Sequence, residues 1–142
     1  MKRTVYAFAL FALAACSKPA DVDPRENMVG TYMVNYQSTM KNQTTGQTLN
    51  NAGSTSVSVQ KGSGATDLTV TNSDGQFKAT VSGNGFEIAQ QNVPVTFSGN
   101  TFSFVVAGSG SVNGKTLTLN YSMVGNVSGQ TLQGVFSGSG SK

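Results

Sequence analysis

The sequence predicts an all-β fold, an antiparallel up-and-down meander of about eight strands that closes into a small barrel. From residue 28 onward apolar and polar residues alternate, as at Phe77, Ala79 and Val81, which is the period of strands with one buried face. Turn-forming pairs such as Asp74-Gly75 and Asn113-Gly114 interrupt the alternation and favour tight hairpins. Because closing a sheet removes its unpaired edges, a meander of this length favours a barrel.

Two alternatives to the barrel stay open from the sequence. A two-sheet β-sandwich would also use alternating strands, while a β-solenoid fits less well because the repeats have hairpin turns and unequal lengths. Turns about 15 residues apart predict strands of about six residues. The polar stretch 38–56 is ambiguous between a long hairpin loop and ragged strand ends.

The first fifteen residues predict a secretory signal. Lys2 and Arg3 precede the uncharged run 5–15, which ends in small residues, and this is the layout of a cleaved leader. The run is too short for a transmembrane helix, which needs about 20 apolar residues. It also lacks the polar face that a helix of a globular domain would carry.

The end of this leader, Leu13-Ala14-Ala15-Cys16, resembles the lipobox of bacterial lipoprotein signals. The resemblance implies cleavage between Ala15 and Cys16 and a diacylglycerol, with acyl chains such as palmitate, on the Cys16 sulfur. Two acyl chains suffice for stable anchoring where one is marginal. Ser17 resembles the sorting signal of outer-membrane lipoproteins. We therefore expect a partner membrane and a location in the cell envelope, on the periplasmic or surface face of the outer membrane.

Residues 16–27 predict the lipidated Cys and a flexible tether, because two prolines and several charges stand there without an apolar period. Residues 28–142 then form one domain. Loss of the leader lowers the side-chain charge from +3 to 7 − 6 = +1, and the remaining lysines are scattered, so we expect no nucleic-acid partner. The chain has no His and only one Cys, so we expect no metal site and no disulfide. We also expect no cofactor and a monomer.

The tripeptide Gly30-Thr31-Tyr32 resembles the Gly-x-Trp motif of the first lipocalin strand, with Tyr in place of Trp. With the lipobox and the meander, it makes the chain similar to the small lipocalin-like, calycin-type lipoproteins of bacterial envelopes. This resemblance implies a lipocalin-like barrel and carries no ligand identity.

An eight-stranded barrel either fills itself with side chains or holds one small ligand. The pocket hypothesis places an apolar ligand among aromatic residues, with tyrosine hydroxyls to orient it. Its candidate lining is Tyr32, Tyr36, Phe102, Phe104 and Tyr121. The alternative is a packed core in an interaction module that binds a glycan or a protein, including inhibitor-like roles. No two carboxylates are placed to face each other, so we expect no catalytic residues and no enzyme.

Overall fold

The computed structural model describes residues 22–97 and 99–142, without the side chain of Phe97. The predicted leader 1–15, Cys16 and the tether to residue 21 lie outside the described residues. Within the described ranges, no helix is long and apolar enough to cross a membrane.

The described chain forms eight strands in one closed antiparallel sheet. Each strand pairs with the next, and the last pairs with the first. The strands are β1 (Gly30–Asn42), β2 (Thr48–Lys61), β3 (Asp67–Asn72), β4 (Gly75–Ser82), β5 (Gly85–Phe97), β6 (Asn100–Asn113), β7 (Thr116–Val127) and β8 (Gln130–Ser141). The predicted all-β meander barrel is confirmed, and the two-sheet sandwich is excluded because the sheet closes on itself.

Strand length differs from the sequence prediction. Six strands have 12 to 14 residues, and only β3 and β4, with six and eight, come close to the predicted six. The sequence pattern breaks early because glycines stand at inward-facing positions of the long strands. In β8, for example, Gly134, Phe136 and Gly138 all face inward, and only the Phe continues the apolar alternation.

The ambiguous stretch 38–56 forms most of a long β-hairpin. β1 runs to Asn42, residues 43–47 turn, and β2 starts at Thr48. Only Ser58–Lys61 of β2 pair with β3. The outer half of this hairpin therefore extends beyond the core, and residues 48–54 are exposed on both faces of the strand.

The barrel has two ends that carry different features. The entry end, where the chain arrives before Gly30, also holds the 62–66 loop, the Asn113–Thr116 turn and Lys142. The far end holds the turns that join β1 to β2, β3 to β4, and β7 to β8. β3 and β4 are the short strands, so the wall of the barrel is lowest between β2 and β5 at the far end.

Inward glycines make room for the large rings of the core. A Cβ added at Gly125 would lie 2.6 Å from the Phe104 ring, and one at Gly134 would lie 2.8 Å from Met123 Cγ. Small and large residues thus alternate on facing positions, as small barrels require.

Candidate functional site

The interior of the barrel is filled by its own side chains. Tyr32, Phe77 and Phe104 have no exposed surface, and they belong to one continuous core of buried residues from all eight strands. No described buried polar side-chain atom lacks a hydrogen-bond partner. The packed-core reading of the sequence therefore describes the middle of this barrel.

A row of four aromatic rings crosses the part of the core nearest the far end. Tyr36 stacks on Phe136 with 5.2 Å between ring centroids, and Phe136 stacks on Tyr121 at 4.7 Å. Phe77 meets Tyr121 at 5.0 Å with tilted planes. These separations are those of favourable aromatic pairs, so the row links β1, β8, β7 and β4 across the barrel.

The Tyr121 hydroxyl closes the far end of the core. It accepts a hydrogen bond from Asn72 Nδ2 at 2.8 Å and donates one to the Asp74 carboxylate. Asn72 ends β3 and Asp74 lies in the turn to β4, on the opposite side of the barrel from β7. Burial, followed by the adjacent Asp74 charge, raises the pKa of Tyr121 well above its ordinary value, so this phenol stays neutral.

The entry end is closed by the chain that precedes β1. Met28 is 3% exposed, and its carbonyl accepts a hydrogen bond of 2.8 Å from the Tyr32 hydroxyl. Lys142 Nζ donates to the carbonyls of Asn27 at 3.2 Å and Val29 at 2.7 Å. The same ammonium lies 5.2 Å from the centre of the Tyr32 ring. Lys142 therefore holds residues 27–29 over the entry end of the core.

The five predicted pocket residues fall into two groups. Tyr32, Phe104 and Tyr121 are core residues, and the two tyrosine hydroxyls among them are bound to protein groups. Tyr36 and Phe102 are half-buried and pack on the core from the far end. The structure joins Tyr36 and Tyr121 through Phe136, and it places the Tyr32 hydroxyl against Met28, at the entry end.

The far end carries a partly apolar rim, made of Met40, Phe102, Val127 and Leu132, which are half-buried, and Leu49. Leu49 faces Met40 across the hairpin and is 68% exposed. A shallow concavity of about 430 Å³ lies beside them, lined by Met40, Leu49, Leu132 and three polar residues.

A second concavity lies on the outer wall where β4 and β5 separate. Their backbones pair only at Thr80–Ser82 with Gly85–Glu87, and the register of β5 shifts between Ile88 and Gln91. The side chain of Gln91 bridges the strands there: its Oε1 accepts the Lys78 N–H at 2.8 Å, and its Nε2 donates to the Lys78 carbonyl at 2.7 Å. The resulting groove, called the seam groove here, has a volume of about 400 Å³.

The seam groove is mixed in character, because Leu68, Ala79 and Ala89 lie in its lining beside the polar residues. Its lining includes Asp67, Lys78, Gln90 and hydroxyls of β3 and β4. As the alternation predicts, Lys78 points outward because its neighbours Phe77 and Ala79 are buried. One ammonium, one carboxylate, amides and hydroxyls can bind a polar ligand.

The last part of the predicted tether packs against the barrel. Arg25 Nη2 forms an ion pair of 2.8 Å with Asp23, and Arg25 Nη1 donates to the carbonyls of Gly62 and Gly64. Lys61 pairs with both Asp23 and Glu26. The hydrogen bond from Arg25 holds the pKa of the Asp23 carboxyl well below its usual range. These contacts tie residues 23–28 to the 62–66 loop, one wall of the seam groove.

Comparison with family models and curated proteins finds no relative. No protein-family model matches the chain, and no curated protein matches it. The function is therefore argued from the geometry.

Three features of these sites were not predicted from the sequence. In the sequence, Gln91 looks like any exposed polar residue, Met28 marks only the start of the domain, and the outer half of β2 is an ambiguous polar stretch. The run Ala89-Gln90-Gln91, which interrupts the alternation of β5, is the one signal that indicates a bulge.

Proposed function

We propose that this protein is a lipid-anchored envelope lipoprotein whose barrel is a non-catalytic interaction module. The filled interior carries the proposal: Tyr32 and Phe104 leave no surface for a ligand, and the Tyr32 and Tyr121 hydroxyls serve the protein itself. A partner would then bind the outside of the barrel, where the partly apolar rim at the far end (the far rim), the seam groove and the long β1–β2 hairpin are exposed.

The position of the described N-terminus supports this arrangement. The chain reaches the barrel at the entry end, beside Met28. Residues 17–22 span at most about 20 Å when extended, so an anchor on Cys16 would keep the entry end near the membrane. The far end, with the β1–β2 turn, would then be the part of the barrel farthest from the anchor, where partners can reach it.

The anchor is tested by radiolabelled palmitate and membrane fractionation of the full chain in a bacterial host. We expect label and membrane retention for the wild type, and neither for Cys16→Ala, which should accumulate as the uncleaved precursor. Ser17→Ala is the matched control and should keep the label. A Cys16→Ala variant that matures and stays on the membrane normally would overturn the anchoring proposal.

The exterior-binding role is tested by native mass spectrometry of the mature protein from its own membranes. We expect every observed mass, of one chain or of an assembly of chains, to be accounted for by polypeptide and anchor alone. A stoichiometric extractable lipid or pigment would overturn the packed-interior argument.

Glycan binding is tested on an array, with Lys78→Met as the seam-groove variant and Lys41→Met as the control. Glycan binding lost only in Lys78→Met would assign the groove as the binding site.

A second candidate function is binding of a small apolar ligand at the far rim. The exposed Leu49 beside half-buried Met40 and Leu132 favours it. A fluorescent fatty acid should then bind the wild type and lose affinity in Leu49→Asn, whereas the outward-facing Met33→Asn should have no effect. Equal binding by both variants would exclude the rim.

A further inference from the structure

The outer half of β2 has an edge without a partner strand. β3 ends at Asn72, and the last residue pair between β2 and β3 is Ser58 with Thr71. In the described part of the chain, residues 48–56 therefore pair with β1 on one side only. We call this stretch, Thr48–Ser56, the free edge.

The direction of the free backbone groups follows from two hydrogen bonds. The Gly62 N–H donates to Asp67 on the β3 side at 2.8 Å, whereas the Gln47 carbonyl accepts from Asn42 on the β1 side at 2.8 Å. Backbone groups of successive residues in a strand point to opposite sides, and the β1–β2 register runs without a shift. The N–H and C=O groups of the even-numbered residues, Thr48 to Ser56, thus face away from β1.

The free edge carries none of the features that block strand pairing. Edges are usually protected by charged side chains, proline or bulges, and residues 48–56 contain no Lys, Pro, Asp or Glu. β5, across the gap, is protected. Its Pro94 has no N–H, and the Pro94 carbonyl lies beside Gly75. Its ladder with β4 ends at Glu87, just before the register shift between Ile88 and Gln91. Within one barrel, one edge is blocked and the other is left able to pair.

We propose that the free edge pairs antiparallel with the free edge of a second copy of this chain, which forms a two-fold symmetric dimer. Pairing centred on Ala52 would match each even-numbered residue with another: Thr48 with Ser56, Asn50 with Ser54, and Ala52 with itself. Each such pair exchanges two backbone hydrogen bonds. Hydroxyl and amide side chains would face each other, with the small Ala52 on the axis and no like charges opposed.

The second copy is the occupant favoured by these observations because residues 48–56 carry no charge that would repel an identical edge. Their free backbone groups also lie on alternate residues that a two-fold axis at Ala52 pairs with one another. Antiparallel pairing places the two entry ends at opposite ends of the dimer. Both anchors then reach one membrane only when the paired strands lie along its surface. The proposal departs from the monomer expected from the sequence and does not depend on lipidation of Cys16.

Crosslinking through one introduced cysteine, in the full chain within the producing cells, tests the proposal. A pair on the axis has a Cα–Cα separation of about 5.5 Å, within the range of a disulfide. After mild oxidation, Ala52→Cys should give disulfide-linked dimers in at least about tenfold higher yield than Val135→Cys, a cysteine on the fully paired β8. The parent chain controls for Cys16. A maximum at Asn50→Cys or Ser54→Cys would keep the dimer with a shifted axis.

A charge swap distinguishes a specific dimer from non-specific association. The Ala52 side chain is exposed, so Ala52→Lys and Ala52→Glu should fold with unchanged circular dichroism. Each alone should weaken dimerisation about tenfold in sedimentation equilibrium, and an equimolar mixture should restore it. A monomer at all concentrations, or equal crosslinking at every position including Val135, would overturn the proposal. Neither result bears on the anchor or on the filled interior.

Discussion

The side-chain amide of Gln91 makes the two hydrogen bonds to Lys78 that a neighbouring strand's backbone would otherwise make. It accepts the Lys78 N–H at 2.8 Å and donates to the Lys78 carbonyl at 2.7 Å. A barrel whose β4 and β5 separate would otherwise leave these two backbone groups without a protein partner. One side chain thus maintains closure of the sheet where the register of β5 shifts.

Replacing Gln91 should loosen this seam locally. In Gln91→Ala, we expect the free energy of unfolding to fall by about 0.5–1.5 kcal/mol, the net worth of ordinary hydrogen bonds. The Lys78 amide hydrogen should exchange faster, measured by NMR. Gln90→Ala, at the neighbouring exposed position, is the control and should leave that exchange rate unchanged. Unchanged exchange in Gln91→Ala would mean that the bridge does not hold the strands.

Tyr121→Phe should destabilise the far end of the core. The change leaves the Asn72 amide and the Asp74 carboxylate without the hydroxyl that joins them, and we expect a loss of about 1–3 kcal/mol in urea unfolding. Tyr36→Phe is the matched control, since its hydroxyl accepts a solvent-exposed hydrogen bond of 3.2 Å from Asn51. Equal losses in both variants would contradict the closing role of Tyr121.

The same tyrosine predicts a loss of stability in alkali. Burial raises the pKa of Tyr121 in the folded protein, so the unfolded chain releases this proton first, near pH 10. The stabilisation is complete below that pH and is lost as the pH rises toward the folded pKa. Between pH 9 and 11 the wild type should lose on the order of 1 kcal/mol more than Tyr121→Phe. Parallel pH profiles in urea denaturation would refute this.

Inward glycines should tolerate a methyl group only where space exists. Gly125→Ala places a Cβ 2.6 Å from the Phe104 ring, and we expect a cost of about 1–3 kcal/mol from overpacking. At Gly53 the nearest atom to a new Cβ is the Tyr36 hydroxyl at 3.4 Å, an ordinary contact. Gly53→Ala should therefore be neutral or slightly stabilising. The melting temperatures of the two variants test this difference. If Gly125→Ala melts at a temperature similar to that of Gly53→Ala, β7 can shift to accommodate the added methyl group.

Docking of residues 23–28 should depend on Asp23 and Arg25. The pKa of Asp23 is lowered in the folded protein. Its ion pair is therefore complete at pH values above the ordinary carboxyl pKa of about 3.9, and it is lost as the pH falls through the lower pKa of the folded state. The carboxyl carbon of Asp23 should titrate below that value in NMR, and Arg25→Gln should return it to the ordinary range. Lys41→Gln, at a distant exposed lysine, controls for net charge. An ordinary midpoint in the wild type would exclude the ion pair.

Much of the fold could be predicted because alternation is a local property. Phe77, Ala79 and Val81 show which face of β4 is inward without any knowledge of the neighbouring strands, and Asn113-Gly114 marks its turn in the same way. The candidate sites could not be predicted so directly. Gln91 matters only because Lys78 lies opposite it, and the outer half of β2 is an edge only because β3 stops at Asn72.

The sequence by itself determined the all-β meander, turns such as Asp74-Gly75 and Asn113-Gly114, and the outward direction of Lys78, since each depends on residues close in the chain. It also predicted the lipid anchor at Cys16. Only the tertiary structure decided that the interior is filled, because that depends on whether Tyr121 reaches Asp74 and whether Phe104 fits over Gly125. Those contacts join distant parts of the chain, and no local pattern encodes their distances.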